Sequence, residues 1–234
     1  MITLAIETSA TPGSVALGHG EDGADVDVRI LDRAGGHARA LAPAIAALLE
    51  ARGLAPARID RIVVGLGPGG YTGIRLALAT AKTLAAVLER PIVGVPSTQV
   101  LAAHPAVPVG RVLAVLDAKK GDVYGARYEK VEAGAPRELE APFVRPAEEV
   151  AAVLDPATFV CGDGFAALAA HRDPPPPGDA AIVPRAQELL AIGAARLERG
   201  ERDEEKSLLP LYLRPSEAEL RWERRRREAG GTGG

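Results

Sequence analysis

The chain has 234 residues, 47% hydrophobic and 25% charged, an ordinary globular composition, with only 3% aromatic residues and a net charge of −3. That balance excludes a broadly basic nucleic-acid surface, and a single cysteine, Cys161, excludes an internal disulfide framework. MITLAIETSA has no basic stretch leading a long apolar run, and no segment approaches the ~18 apolar residues of a membrane span. A cytoplasmic protein with an aliphatic, closely packed core is expected.

In chain order, Ile2 to Glu7 reads as a strand, and TSATPG supplies turn chemistry before a second strand over Ser14 to Gly18. Asp25 to Leu31 alternates with period two, as a half-exposed strand does, so the three form a meander. His37 to Arg52 takes a helical period with Leu41, Ile45 and Leu48 on one stripe; Pro43 marks either its first turn or a kink. Arg61 to Leu66 is a strand, Tyr71 to Glu89 a helix, Ile92 to Val95 a strand and Ser97 to His104 a helix.

A second series starts near Arg111. RVLAVLDA and DVYGARYEKV are strands flanking the Lys119-Lys120-Gly121 turn, Phe143 and Val144 a third, and Glu148 to Leu154 a helix. Thr158 to Cys161 is a strand and Phe165 to Ala170 a helix; DPPPPGD is a stiff connector, and Ala186 to Arg199 a final amphipathic helix. The order repeats, so an α/β fold of two related lobes is predicted, each a mixed sheet flanked by helices. The first spans 1–104 and the second 105–214, joined around Ala102 to Arg111. A polar tail, 215–234, is expected to be mobile.

GLGPGG, residues 65–70, precedes the second helix and contains G-x-G-x-x-G. A dinucleotide site needs that motif after the first strand, with an acid closing the next one; PIVGVP closes without an acid. A P-loop needs Gly-Lys-Ser/Thr, and Gly73 is followed by Ile74 and Arg75. The glycines therefore read as a tight turn allowing close helix-to-sheet packing. The helix is more informative. Ile74, Leu78, Ala81, Ala85 and Leu88 make a sheet-facing stripe, yet the opposite side carries Thr72, Leu76, Thr80, Thr83 and Val87 with no charge. The first helix likewise sets Ala42, Ala46 and Ala47 opposite its stripe. Either the second lobe covers these faces or a partner does. Two adjacent helices sharing the property favour a partner.

No catalytic set assembles. The four histidines are scattered, without an i, i+4 pair; Cys161 ends an apolar strand with no basic cluster; no serine sits in G-x-S-x-G. Asp117 and Asp122 flank a turn and could hold a cation, or serve the turn alone. Glu7, Thr8 and Ser9 could meet a phosphate or Mg²⁺, or cap a turn. Arginines 221 and 224–227 are interleaved with glutamates and read as a solvated tail.

LAIETSATPGSVAL, HARALAPAIAALL, GLGPGGYTGIRLALATAKTLA, GVPSTQVLA, LDAKKGDVYGARY and PLYLR closely resemble, in that order, the bacterial TsaB family, also called YeaZ. The resemblance reaches to about Arg214 and is most specific over the glycine turn and its helix. It implies an actin-like ASKHA fold and a part in making N6-threonylcarbamoyladenosine in tRNA. It further implies a non-catalytic subunit without a cofactor of its own, beside the catalytic paralogue TsaD, which carries the metal, and the small ATPase TsaE. In that family the first two helices pack on TsaD, or on a second copy when TsaD is absent, and tRNA is met through the complex. Carried over, the interface comprises Ala42, Ala46, Leu76, Thr80, Thr83 and Val87. Leu41 stands without the histidine of the catalytic paralogue's metal pair. Glu7 replaces the aspartate usual on the fold's phosphate strand, and Cys161-Gly-Asp-Gly-Phe only loosely resembles its adenosine loop. Glu7, Thr8 and Ser9 are then the remaining nucleotide contacts. The alternatives are an autonomous ATPase or phosphotransferase of the same fold, using Glu7 to Ser9 and the Asp117 turn, and an RNA-binding module resting on the arginine tail.

Overall fold

The computed structural model describes residues 1–20, 25–31 and 36–214, with side chains in the first helix described from residue 38; the predicted tail lies outside the described residues. Five strands form the first sheet: β1 (Ile2–Glu7), β2 (Ser14–His19), β3 (Asp25–Ile30), β4 (Arg61–Gly65) and β5 (Ile92–Val95), in the order β3-β2-β1-β4-β5. β1 runs antiparallel to β2, from Ile2 opposite His19 to Glu7 opposite Ser14, and parallel to β4, which is parallel to β5.

The second sheet repeats this plan. β6 (Gly110–Asp117), β7 (Asp122–Lys130), β8 (Arg137–Pro146), β9 (Phe159–Cys161) and β10 (Gly178–Asp179) lie in the order β10-β9-β6-β7-β8. The pairings β6–β7 and β7–β8 are antiparallel, while β6–β9 and β9–β10 are parallel. Renumbered from its own first strand, each sheet reads 3-2-1-4-5, so the chain holds two copies of one topology.

The side-chain period of two divides each central strand between two layers. Leu4 and Ile6 of β1 join Leu41, Ile45 and Leu48 of α1 (Gly36–Ala51) and Ala77, Leu78 and Ala81 of α2 (Tyr71–Leu88) in one core. Ala5 points the other way and packs with Leu189, Leu190 and Ile192 of α6 (Ala186–Glu198). Buried along their length, β4 and the edge strand β5 read as unbroken apolar runs, IVVG and IVGV. β3, at the edge, stays exposed over most of its length.

Sequence period gives no sign of which sheet a helix will cover, and here the lobes exchange helices. α3 (Ser97–Ala103), from the first half, puts Leu101 and Ala102 against Val112, Ala114 and Leu116 of β6. α6, from the second half, lies on the first sheet, where a Cβ on Gly193 would stand 2.2 Å from Val63 Cγ1, so only glycine permits that approach. The outer face of the second sheet is closed by α4 (Ala147–Ala152) and α5 (Phe165–Ala169) through Val150, Ala151 and Leu168.

Pro43 lies inside α1, well past its first turn. The far end of α1 is held to the β3 edge: Arg52, just beyond the helix, donates to both Asp25 oxygens at 2.8 and 2.9 Å and to Asp27 at 2.7 Å, and His19 lies 3.2 Å from Asp27. Among the described residues, no helix is long and apolar enough to cross a membrane.

Candidate functional site

The glycine-rich turn spends its backbone on its own chain. Gly70 N–H donates to Ser9 O at 2.6 Å, Gly67 N–H to Ser97 Oγ at 3.2 Å, and Gly67 O accepts from Ser97 N at 2.7 Å. A Cβ on Gly69 would sit 2.3 Å from Ser9 O, where its φ of +149° already favours glycine. The turn thus fastens the β4–α2 connection to the β1–β2 turn and to the start of α3. It launches α2 at a fixed angle over the sheet.

α2 is two-sided as its sequence predicts. Gly73, Ile74, Ala77, Leu78, Ala81 and Ala85 are buried on the sheet. Thr72, Ala79, Thr83, Ala86 and Val87 are exposed, Val87 at 74% of its full accessibility, while Leu76 and Thr80 are half-buried. The second lobe's sheet and helices leave this face uncovered. What does reach α2 comes from the returning C-terminal segment, along one flank: Lys82 Nζ donates to Lys206 O at 3.2 Å and to Leu208 O at 3.1 Å. On α1, Leu41, Ile45 and Leu48 are buried, and Ala42 and Ala46 are exposed. Of the six predicted interface residues, Ala42, Ala46, Thr83 and Val87 are exposed and Leu76 and Thr80 half-buried. Leu76 packs partly against the first lobe's own core. Ala79 and Ala86, which the opposite-stripe reading omits, carry the same signal of small uncharged residues and belong to the open side.

Glu7, Thr8 and Ser9 close β1, but the carboxylate turns inward. Glu7 is 1% exposed; its Oε1 accepts from Ser9 N at 2.7 Å and its Oε2 from Ser97 Oγ at 2.8 Å. Burial raises the Glu7 pKa, opposed by the hydrogen bonds from Ser9, Ser97 and Thr8. Thr8 Oγ1 donates to Gly73 O at 2.7 Å in the first turn of α2. Of the three, Ser9 alone lines the cleft between the lobes, a space of about 740 Å³ bounded on the other side by Asp117 to Lys120.

The remaining candidates are accounted for singly. Asp117 Oδ1 accepts from Lys119 N at 2.7 Å and Oδ2 from its Nζ at 2.6 Å, so turn chemistry uses this carboxylate. Cys161 is wholly buried, and burial pushes its thiol up to about 12. His104 is buried and His171 exposed. Among the described residues, no three of His, Cys, Asp and Glu are grouped to hold a metal ion.

Residues 32–154, more than half of the chain, match the family model described as TsaD: tRNA N6-adenosine threonylcarbamoyltransferase. The tRNA threonylcarbamoyladenosine biosynthesis protein TsaB of Bacillus subtilis (strain 168) is 31% identical over 77% of this chain and 80% of its own length. The chain belongs to the TsaB (YeaZ) family. The TsaB protein of Escherichia coli (strain K12) is 33% identical over 67% of this chain and 63% of its own. The solved structure of YeaZ from Pseudomonas aeruginosa superposes with a TM-score of 0.81 at 32% identity, covering 91% of this chain and 99% of that one. TsaB membership fixes the fold as actin-like and ties the chain to tRNA threonylcarbamoyladenosine biosynthesis.

Proposed function

We propose that this TsaB-family chain is a non-catalytic scaffold subunit for that biosynthesis, needed so that a TsaD-like catalytic paralogue can transfer a threonylcarbamoyl group to tRNA adenosine. The observation that carries the reading is the open side of α2: a helix fastened at its N-terminal end, uncharged along Thr72, Ala79, Thr83, Ala86 and Val87, and left exposed there by the described residues. Small residues there, and the exposed Ala42 and Ala46 of α1, let a partner helix approach closely. An interface of about 800 Å² per partner is the standard size for specific association. The same face would join two copies of this chain when the paralogue is missing. A TsaE-like ATPase completes the assembly, and tRNA is met through the complex.

The engaged state of Glu7 supports a subunit without a cofactor or catalysis of its own. An autonomous ATPase or phosphotransferase needs a carboxylate free at the cleft, and both Glu7 oxygens already accept hydrogen bonds inside the lobe. Reconstitution tests the proposal: tRNA modification by the TsaD-like and TsaE-like proteins should require this chain, while the isolated chain should turn over no Mg-ATP. Full modification without it, or turnover by it alone, overturns the reading.

A further inference from the structure

The last described stretch of the chain, after α6, returns over the first lobe and then crosses to the second. Its hold on the first lobe is repeated along its length. Asp203 N donates to Ile92 O at 3.0 Å while its Oδ2 accepts from Gly94 N at 2.7 Å, fastening the segment to the free edge of β5. The Lys206 and Leu208 carbonyls receive Lys82 Nζ, and the Leu208 side chain enters the α1–α2 core. Leu211 N donates to Leu66 O at 2.8 Å. The Tyr212 ring stacks on Tyr71 with centroids 5.2 Å apart, and Arg75 lies 4.0 Å over the Tyr71 ring while its Nε donates to Tyr212 Oη at 2.6 Å. Stacking and cation–π contacts of this kind hold a half-exposed segment in one geometry.

Two residues later the segment has reached the other lobe. Arg214 donates to Ala118 O at 3.1 Å and, through its second terminal nitrogen, to the Asp122 carboxylate, so one planar guanidinium grips both sides of the β6–β7 turn. Leu211 to Arg214 line the same cleft that Ser9, Gly69 and Tyr71 bound from the first lobe and Asp117 to Lys120 from the second. Among the described residues the anchoring is unequal: several independent contacts on the first lobe, and the side chain of Arg214 on the second.

The geometry points to residues 211–214 as an interlobe latch, with Tyr212 fixed to the first turn of α2 and Arg214 as the releasable catch on the β6–β7 turn, holding the cleft closed. The Arg214 and Asp122 side chains are each 26% exposed, enough for salt to weaken the pair and for the catch to open without unfolding either lobe.

Pulsed electron–electron distance measurement on the full chain tests this. Cys161 is buried and stays unlabelled, so nitroxides on Ala51→Cys in the first lobe and Glu149→Cys in the second report the lobe separation. The parent should give one narrow distance distribution. Arg214→Ala should broaden and lengthen it with circular dichroism unchanged, and Arg145→Ala, whose arginine bonds Glu140 within the second lobe, should not. Should Arg214→Ala fail to fold, high salt on the parent replaces it and should broaden the distribution likewise. A distribution unmoved by Arg214→Ala, or by salt where that arm is used, overturns the latch.

Discussion

Ser97 Oγ donates to Glu7 Oε2 at 2.8 Å, joining the first residue of α3 to the last residue of β1 across 90 positions of sequence. The bond lies where both lobes meet, because α3 carries Leu101 and Ala102 onto the second sheet while Val100 stays with the first. It also decides the role of Glu7, whose carboxylate is held inside the first lobe.

Glu7→Gln is expected to keep the fold. Its amide oxygen can accept from Ser9 N and the Ser97 hydroxyl can turn to accept from the amide. Because burial raises the folded pKa of Glu7 above its unfolded value, its contribution is most favourable below the unfolded pKa and declines as pH rises to the folded one. Urea unfolding across that range should show wild type losing stability relative to Glu7→Gln as pH rises. Glu7→Ala, which leaves the Ser9 N–H and the Ser97 hydroxyl proton without their acceptors, should cost about 1–3 kcal/mol.

Tyr128 Oη and Thr98 Oγ1 lie 2.9 Å apart in the buried layer between α3 and β7. Tyr128→Phe should lower stability by about 1 kcal/mol, since it leaves the Thr98 hydroxyl without that partner. Denaturant midpoints of the two proteins check the figure.

Cys161, with its thiol pushed up to about 12 by burial, should resist iodoacetamide in the folded protein at neutral pH and react fully once denatured. Mass spectrometry after timed alkylation reads this directly.

Much of this was legible in sequence. Alternating and unbroken apolar runs located the central strands within a residue or two, because burial on one or both faces writes that pattern directly. β8 is legible only at Phe143 and Val144, since Arg137 to Glu140 carry mostly exposed polar residues on an edge strand. β10, two residues long and directly after a proline run, offers no period to read. The exchange of α3 and α6 between lobes was invisible, because a stripe of Leu189, Leu190 and Ile192 names a buried face and not the sheet that buries it. The open face of α2 was legible because an exposed helix lacking charge departs from the usual solvated pattern. The inward turn of Glu7 was not, since a carboxylate ending a strand reads the same whether it faces a cleft or a core.

The docking face is tested most directly at Thr83 and Val87, which are exposed and touch none of the lobe's core, whereas Leu76 shares its side chain with that core and would confound the result. Thr83→Arg and Val87→Glu should each leave thermal unfolding within about 0.5 kcal/mol of wild type. An unpaired charge in a desolvated interface costs about 2–5 kcal/mol, so affinity for the TsaD-like paralogue should fall by roughly thirty-fold or more. Titration calorimetry of each folded variant against that paralogue is the measurement. Loss of binding with the fold intact is the predicted result; wild-type affinity in both variants would contradict the assignment of this face.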